Sequence, residues 1–204
     1  MARRFDGKKL VVATHNRGKA GEIRAMLGPL GIEIVAAGDL GLPAPEETGV
    51  TFRENATIKA LAATRASGLP VLADDSGISV HALDDQPGVY SADWEGPQRS
   101  AMVAMQRIQD ELAKRGVPNT IEARGATFHC VLVLAWPDEH LETFHGTCDG
   151  AIVWPLRGSN GHGYDPCFQP KGERRTTAEM SEDEKNAISH RGRAFRMLLD
   201  ACFK

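Results

Sequence analysis

The sequence predicts an α/β protein, a long mixed β-sheet with flanking helices, and three observations carry that reading. Short apolar runs at residues 10–14, 32–36 and 71–74 alternate with segments of helical character. Two capping boxes, Thr51-Phe52-Arg53-Glu54 and Ser181-Glu182-Asp183-Glu184, mark helix starts, because threonine or serine at the cap and glutamate three residues on satisfy two backbone donors reciprocally. Residues 126–136 and 141–147 read as two long strands joined by a hairpin over 137–140, which adds antiparallel pairing to the sheet.

The elements follow in order. The run at 10–14 is a buried strand that breaks over 15–18 and leads into a helix at 19–27. A second strand at 32–36 follows Gly31, and a loop over 38–49 carries Pro43, Pro45, Glu46 and Glu47. The helix opened by Thr51 should run to Ser67 and stop at Gly68. Strands at 71–74 and 78–82 flank a turn made by Asp74, Asp75, Ser76 and Gly77, and 84–97 is a loop. Met102, Met105, Ile108 and Leu112 give a helical repeat over 99–115 that ends at Gly116. Residues 159–166 form a glycine-rich loop. The second capping box opens a helical stretch towards Cys202, with Gly192 a break point.

Bulk properties exclude several classes. A chain of 204 residues, 42% hydrophobic and 25% charged, suits one soluble domain, here residues 1–204 as a single two-lobed unit. A net charge of −3 gives no overall attraction to a nucleic acid polymer or an anionic membrane. Cys130, Cys148, Cys167 and Cys202 form no C-x-x-C pair, so they read as buried free thiols rather than a zinc or redox motif. The apolar run after the basic N-terminus is too short for a signal core or a membrane span, which leads to the expectation of a cytoplasmic protein.

Five constellations carry chemistry. Thr14-His15-Asn16-Arg17-Gly18-Lys19 joins a strand to a helix start, where backbone N–H groups, the helix dipole and Lys19 suit phosphate, although the spacing is not that of a Walker loop. Asn55 and Lys59 share one face of the capped helix. Asp74 and Asp75 end an apolar run, and carboxylates near a core call for a cation or several hydrogen bonds; a divalent metal with Glu46 as a further oxygen ligand meets that need, and a solvated turn is the alternative. Gly161-His162-Gly163-Tyr164-Asp165-Pro166 sets a ring between two glycines, where a flat base can approach the backbone, or else a tight loop with a buried tyrosine. Lys185, His190 and Arg191 gather hydrogen-bond donors in one region, or form a basic helix surface.

Taken together and in order, V-V-A-T-H-N-R-G-K, E-E-T-G-V-T-F-R-E-N-A, A-D-D-S-G, P-G-V-Y-S-A, F-H-C-V-L, G-Y-D-P and E-K-N-A-I-S-H-R-G resemble the inosine/xanthosine triphosphate pyrophosphatase family (XTP/dITP diphosphatases) from about Leu10 to Leu199. The resemblance implies a homodimeric enzyme with two lobes and an active-site cleft between them. It implies Mg²⁺-dependent hydrolysis of ITP, dITP and XTP to monophosphate and pyrophosphate, which removes deaminated purines from the nucleotide pool. Carried over by residue, it makes Asp75 the general base and a metal ligand, and Glu46 the second metal ligand. It makes Thr14, His15, Asn16, Arg17, Gly18, Lys19, Asn55, Lys59, Ser76, His162, Gly163, Tyr164, Asp165, Lys185, His190 and Arg191 substrate contacts. The role of Asp74 is open. One departure is His162, where many members have phenylalanine, so base stacking here falls to a smaller ring that titrates near neutrality. A non-hydrolysing purine-nucleotide sensor and a Maf-type pyrophosphatase are the competing readings.

Overall fold

A computed structural model of the chain describes residues 2–14, 21, 23, 24 and 26–204. Seven strands form one mixed sheet: β1 (Lys9–Val12), β2 (Glu33–Ala36), β3 (Val71–Val80), β4 (Gln86–Gly88), β5 (Gly125–Ala135), β6 (Leu141–Ile152) and β7 (Phe168–Pro170). Their order is β2-β1-β3-β5-β6-β7, with β4 paired to β3. β1 is parallel to both β2 and β3, whereas β4 is antiparallel to β3 and β7 to β6. The expected mixed α/β sheet is therefore present. The helices are α1 (Phe52–Ser67), α2 (Ala101–Lys114), α3 (Glu182–Ile188) and α4 (His190–Leu198), and residues 21, 23, 24, 26 and 27 are also helical.

The chain divides into two compact units. The first holds residues up to Asp75, Val131–Phe144 and Ala194–Lys204; the second holds Ser76–Cys130 and His145–Arg193.

In the first unit α1 behaves as its sequence requires. Thr51 Oγ1 accepts the Glu54 N–H at 3.2 Å, and Glu54 Oε2 accepts the N–H groups of Thr51 and Val50. Gly68 ends the helix in the left-handed conformation, φ 67°, donating its N–H to the Thr64 carbonyl. Ala56 and Ala60 form the buried stripe and pack with Ala73, Val131 and Val133. Small side chains let the helix backbone lie close to the strands, which brings the edge of α1 carrying Asn55 and Lys59 near the end of β3.

β3 corrects one expectation. Residues 74–77 form no turn; the strand runs unbroken from Val71 to Val80. Ser76 and Gly77 are turn formers locally, but the strand is held on both sides of them. Val71 and Leu72 pair with β1, and Ile78, Ser79 and Val80 pair with β4. Sheet pairing overrides local propensity here. β4 likewise places a short strand inside the segment expected to be a loop at 84–97.

The second unit has its own core, in which Ile108 and Leu112 of α2 meet Ile78, Leu83, Phe128 and Phe168. Ala104, Met105, Ile108 and Leu112 face inward, but Met102 is exposed. At ~100° per residue Met102 lies roughly a hundred degrees round from the centre of that face. The C-terminal helix breaks at Ser189, not at Gly192. Ser189 is extended, ψ 158°, and its hydroxyl accepts the Gly192 N–H at 3.1 Å, so a capping serine inside a run of helix formers starts α4. All four cysteines are free and buried, as expected. Among the described residues no helix is long and apolar enough to cross a membrane.

The loop before α1 rests on one close approach. The Gly49 N–H donates to Asn55 Oδ1 at 2.8 Å, and a Cβ on Gly49 would lie 2.6 Å from both that oxygen and Glu54 Cβ. Gly49→Ala is therefore expected to destabilise the protein by about 1–3 kcal/mol, the scale of overpacking. Urea denaturation checks this, and an unchanged midpoint would contradict it.

Candidate active site

β1 is the topological switch point of the first unit. The chain leaves β1 towards β2 on one side, and β3 lies on the other. Crevices at the carboxyl ends of strands at such a point are where open α/β sheets hold ligands. The carboxyl end of β1 delivers Thr14, which is buried, and that of the parallel β3 segment delivers Asp74 and Asp75. His15, Asn16, Arg17, Gly18 and Lys19 lie outside the described residues.

Asp75 is the centre of this arrangement. Its Oδ1 accepts a hydrogen bond from Lys59 Nζ at 2.9 Å, and the two side chains are 13% and 14% exposed. Lys59 also donates to Glu47 Oε2 at 3.1 Å. Asp75 Oδ2 is buried and has no hydrogen-bond partner among the described residues. An orphaned buried carboxylate oxygen is costly, and a place of this kind takes a water or an ion.

The charges explain the titration. Burial pushes the Asp75 carboxyl up to about 6; Lys59 opposes the shift, while Glu47 and Asp74 add to it. Lys59 is held above its ordinary value, because three nearby carboxylates outweigh the cost of burying its ammonium. Lys59 thus bonds Asp75 and Glu47 and also feels the charge of Asp74.

These residues fit a hard divalent cation. Asp75, Asp74 and Glu47 provide only oxygen donors. Among the described residues there is no group of three His, Cys, Asp or Glu side chains placed to hold a metal by themselves. One or two carboxylates are what a hard divalent cation takes from a protein when phosphate oxygens and water complete its shell. Glu46, the acid singled out in the sequence, is exposed, and its neighbour Glu47 is the one on Lys59. Both acids are exposed, and nothing in an E-E pair tells which of them reaches Lys59. Asn55 is buried with its Oδ1 committed to the Gly49 backbone, so it shapes the loop that carries Glu47.

The other expected site residues lie in the second unit, where Ser76 opens the continuation of β3. His162 is exposed, between Gly161 and Gly163, both at positive φ. Tyr164 is buried and donates its hydroxyl to the Ser91 carbonyl at 2.6 Å, which matches the reading of a tight loop with a buried ring. Asp165 is buried and bonded to Lys185 Nζ at 2.5 Å. His190 stacks on Phe128, with centroids 4.7 Å apart and planes 13° from parallel. Burial, with Arg191 and Lys185 adding to it, holds the His190 imidazole far below its usual range, so the ring is neutral at physiological pH. Ser189 ends α3 and caps α4, which puts His190 and Arg191 in the first turn of α4. Phe128 and Thr177 escaped the sequence reading; Phe128 gives only an ordinary core signal, and Thr177 is one hydroxyl in a polar run.

A model of the Ham1 family matches residues 10–201. The chain belongs to the Ham1 family. A dITP/XTP pyrophosphatase of Gluconobacter oxydans is 55% identical over 196 residues, 96% of this chain and 91% of its own length. A protein of the same name from Ruegeria pomeroyi is 52% identical over 205 residues, covering 100% and 99% of the two chains. The solved structure of a HAM1 protein from Coxiella burnetii matches with a TM-score of 0.87 at 39% identity, over 94% of this chain and 96% of that one. The membership accords with the resemblance read from the motifs and with the mixed sheet of the Ham1 chain described here.

The titration of Asp75 has a consequence for stability. Its folded-state value lies above the ordinary 3.8, at about 6. At this group the native state therefore binds more protons than the unfolded state between those values, and Asp75's contribution to stability falls as pH rises from ~4 to ~6. Asp75→Asn does not titrate. In metal-free buffer its stability relative to wild type should grow over that interval, by on the order of 2–3 kcal/mol, and then level off. Urea denaturation of both proteins from pH 4 to 8 in a chelator measures it. A difference that stays constant with pH would refute burial as the dominant cause.

Proposed function

We propose that the protein hydrolyses non-standard purine nucleoside triphosphates, dITP, ITP and XTP, to the monophosphate and pyrophosphate, and so clears deaminated purines from the nucleotide pool. The observation that carries this reading is the buried Asp75, with one oxygen on Lys59 and the other without a hydrogen-bond partner among the described residues. The printed activity of the relatives, dITP/XTP pyrophosphatase, gives the substrate class.

Asp75 and Glu47 are the carboxylates we assign to a Mg²⁺ ion, with Glu46 as the alternative acid in the same loop. When bound, Mg²⁺ offsets phosphate charge and acidifies a coordinated water. Lys59 is the cation nearest these carboxylates, and in the reaction it shares its N–H groups between them and the phosphates. Water adds to the α phosphorus, the bond from that phosphorus to the α,β-bridging oxygen breaks, and pyrophosphate leaves with the bonding electrons. The proton released by the water passes to the ionised Asp75 carboxylate. We assign Thr14, Ser76 and the segment His15 to Lys19 to the triphosphate. The loop with His162, Gly163 and Tyr164, together with Lys185, His190 and Arg191, is assigned to the sugar and base. A neutral His190 and a cationic Arg191 suit a purine with oxygen at C6, because an amine there leaves the arginine donors unpaired. The resemblance further supports a homodimer working in the cytoplasm.

A nucleotide sensor with the same contacts has no use for a buried carboxylate with an unpaired oxygen, which favours hydrolysis. Pyrophosphate release from dITP, XTP, ITP, GTP and ATP tests the assignment. We expect release from the first three, loss of it on chelation, and a fall in kcat of about 10²–10⁴-fold for Asp75→Asn, the usual scale for a general base. Near wild-type turnover by that variant would remove Asp75 from the mechanism.

A further inference from the structure

Asp165 is a charged side chain only 3% exposed, yet each of its carboxylate oxygens is engaged. Oδ2 accepts the backbone N–H of His162 at 2.8 Å and Lys185 Nζ at 2.5 Å. Oδ1 accepts the hydroxyl of Thr177 at 2.8 Å. Gly161 presses against the same group: a Cβ there would lie 2.2 Å from Oδ2 and 3.2 Å from Lys185 Nζ, on a backbone with φ of +76°. The loop from Gly161 to Asp165 is thus wrapped around one carboxylate. Tyr164 pins it a second time through the Ser91 carbonyl.

These contacts have a directed effect. A buried carboxylate is tolerated only when paired and hydrogen-bonded, and here its partners are a loop backbone and an ammonium. A free lysine must be ordered when a ligand arrives, whereas Lys185 is already held, and Asp165 takes only one of the three N–H groups an ammonium carries. The Asp165 charge is neutralised by Lys185, so it does not repel an incoming anion.

We propose that Asp165 is a positioning residue: without touching the substrate, it fixes the main chain at His162 and the ammonium of Lys185 as one preformed unit for purine-nucleotide recognition. This rests on the pyrophosphatase reading above, and it reassigns a residue that the family resemblance makes a direct contact. Thr177, through Oδ1, is a secondary member of the unit.

The test compares wild type, Asp165→Asn and Thr177→Val in steady-state kinetics with dITP and dATP, calorimetric binding of the product dIMP, and thermal melting. An asparagine cannot accept at both former oxygen positions, so it loses Lys185 or a neighbouring donor. We expect Asp165→Asn to lower kcat/KM for dITP about ten- to a hundredfold, the scale of one lost hydrogen bond to a charged group. The loss should fall on KM with kcat within about threefold, weaken dIMP binding in parallel and reduce the preference for dITP over dATP. Thr177→Val should shift the same quantities in the same direction by less, and it carries the test if Asp165→Asn does not fold. A folded Asp165→Asn with unchanged KM and dIMP affinity overturns the proposal. So does a change confined to the melting temperature, or a loss confined to kcat. Wild-type protein that binds dIMP but releases no pyrophosphate from dITP would refute the enzymatic reading and leave the positioning claim to be decided by dIMP binding. Wild-type protein that binds no dIMP overturns both.

Discussion

One ammonium shared among three carboxylates organises the first unit. Lys59 reaches Asp75 and Glu47 directly and feels the charge of Asp74. Beside this cluster the second oxygen of Asp75 is buried and has no hydrogen-bond partner among the described residues. Such a group destabilises the protein, and most buried polar atoms in folded chains are satisfied. In the proposed function the partner for that oxygen arrives with the ligand.

The surrounding structure can be read as what that arrangement needs. β3 must run through Asp74 and Asp75 without turning, and its pairing with β1 before them and β4 after them keeps it straight. α1 must bring Lys59 close to β3, and alanines on its inner face permit that approach. The loop that carries Glu47 must be fixed, and the Asn55 side chain and the absence of a Cβ at Gly49 fix it. In the second unit a single carboxylate, Asp165, ties a glycine-rich loop to a lysine. In both units a lysine is held by an acid before any ligand is present, which lowers the ordering cost of binding an anion.

Much of this was legible in the sequence because it is encoded locally. The capping box at Thr51, the stop at Gly68, the hairpin before β6 and the four buried thiols follow from side chains acting on their own neighbourhood. The failures share a cause. Ser76 and Gly77 signal a turn, and pairing of β3 with β1, β5 and β4, none of it visible in the local pattern, keeps them in a strand. Ser189 looks like one more helical residue until its hydroxyl is seen to cap the next helix. Beyond those two corrections, the contact of Glu47 with Lys59 and those of Asp165 with Thr177 and Lys185 join residues that are distant in sequence. Tertiary contacts decide these cases, and no local pattern stands in for them.

The central claim is that burial keeps Asp75 ready for a cation that its own neighbours do not supply. Its carboxyl ¹³C shift, followed by NMR from pH 3 to 9, tests that claim most directly. Without metal the account predicts a midpoint at about 6. With Mg²⁺ and a non-hydrolysable dITP analogue it predicts a midpoint driven below the ordinary carboxylate range, because the cation favours the ionised form. A midpoint near 4 in the free protein, or one that stays in place when Mg²⁺ and nucleotide are added, would contradict it.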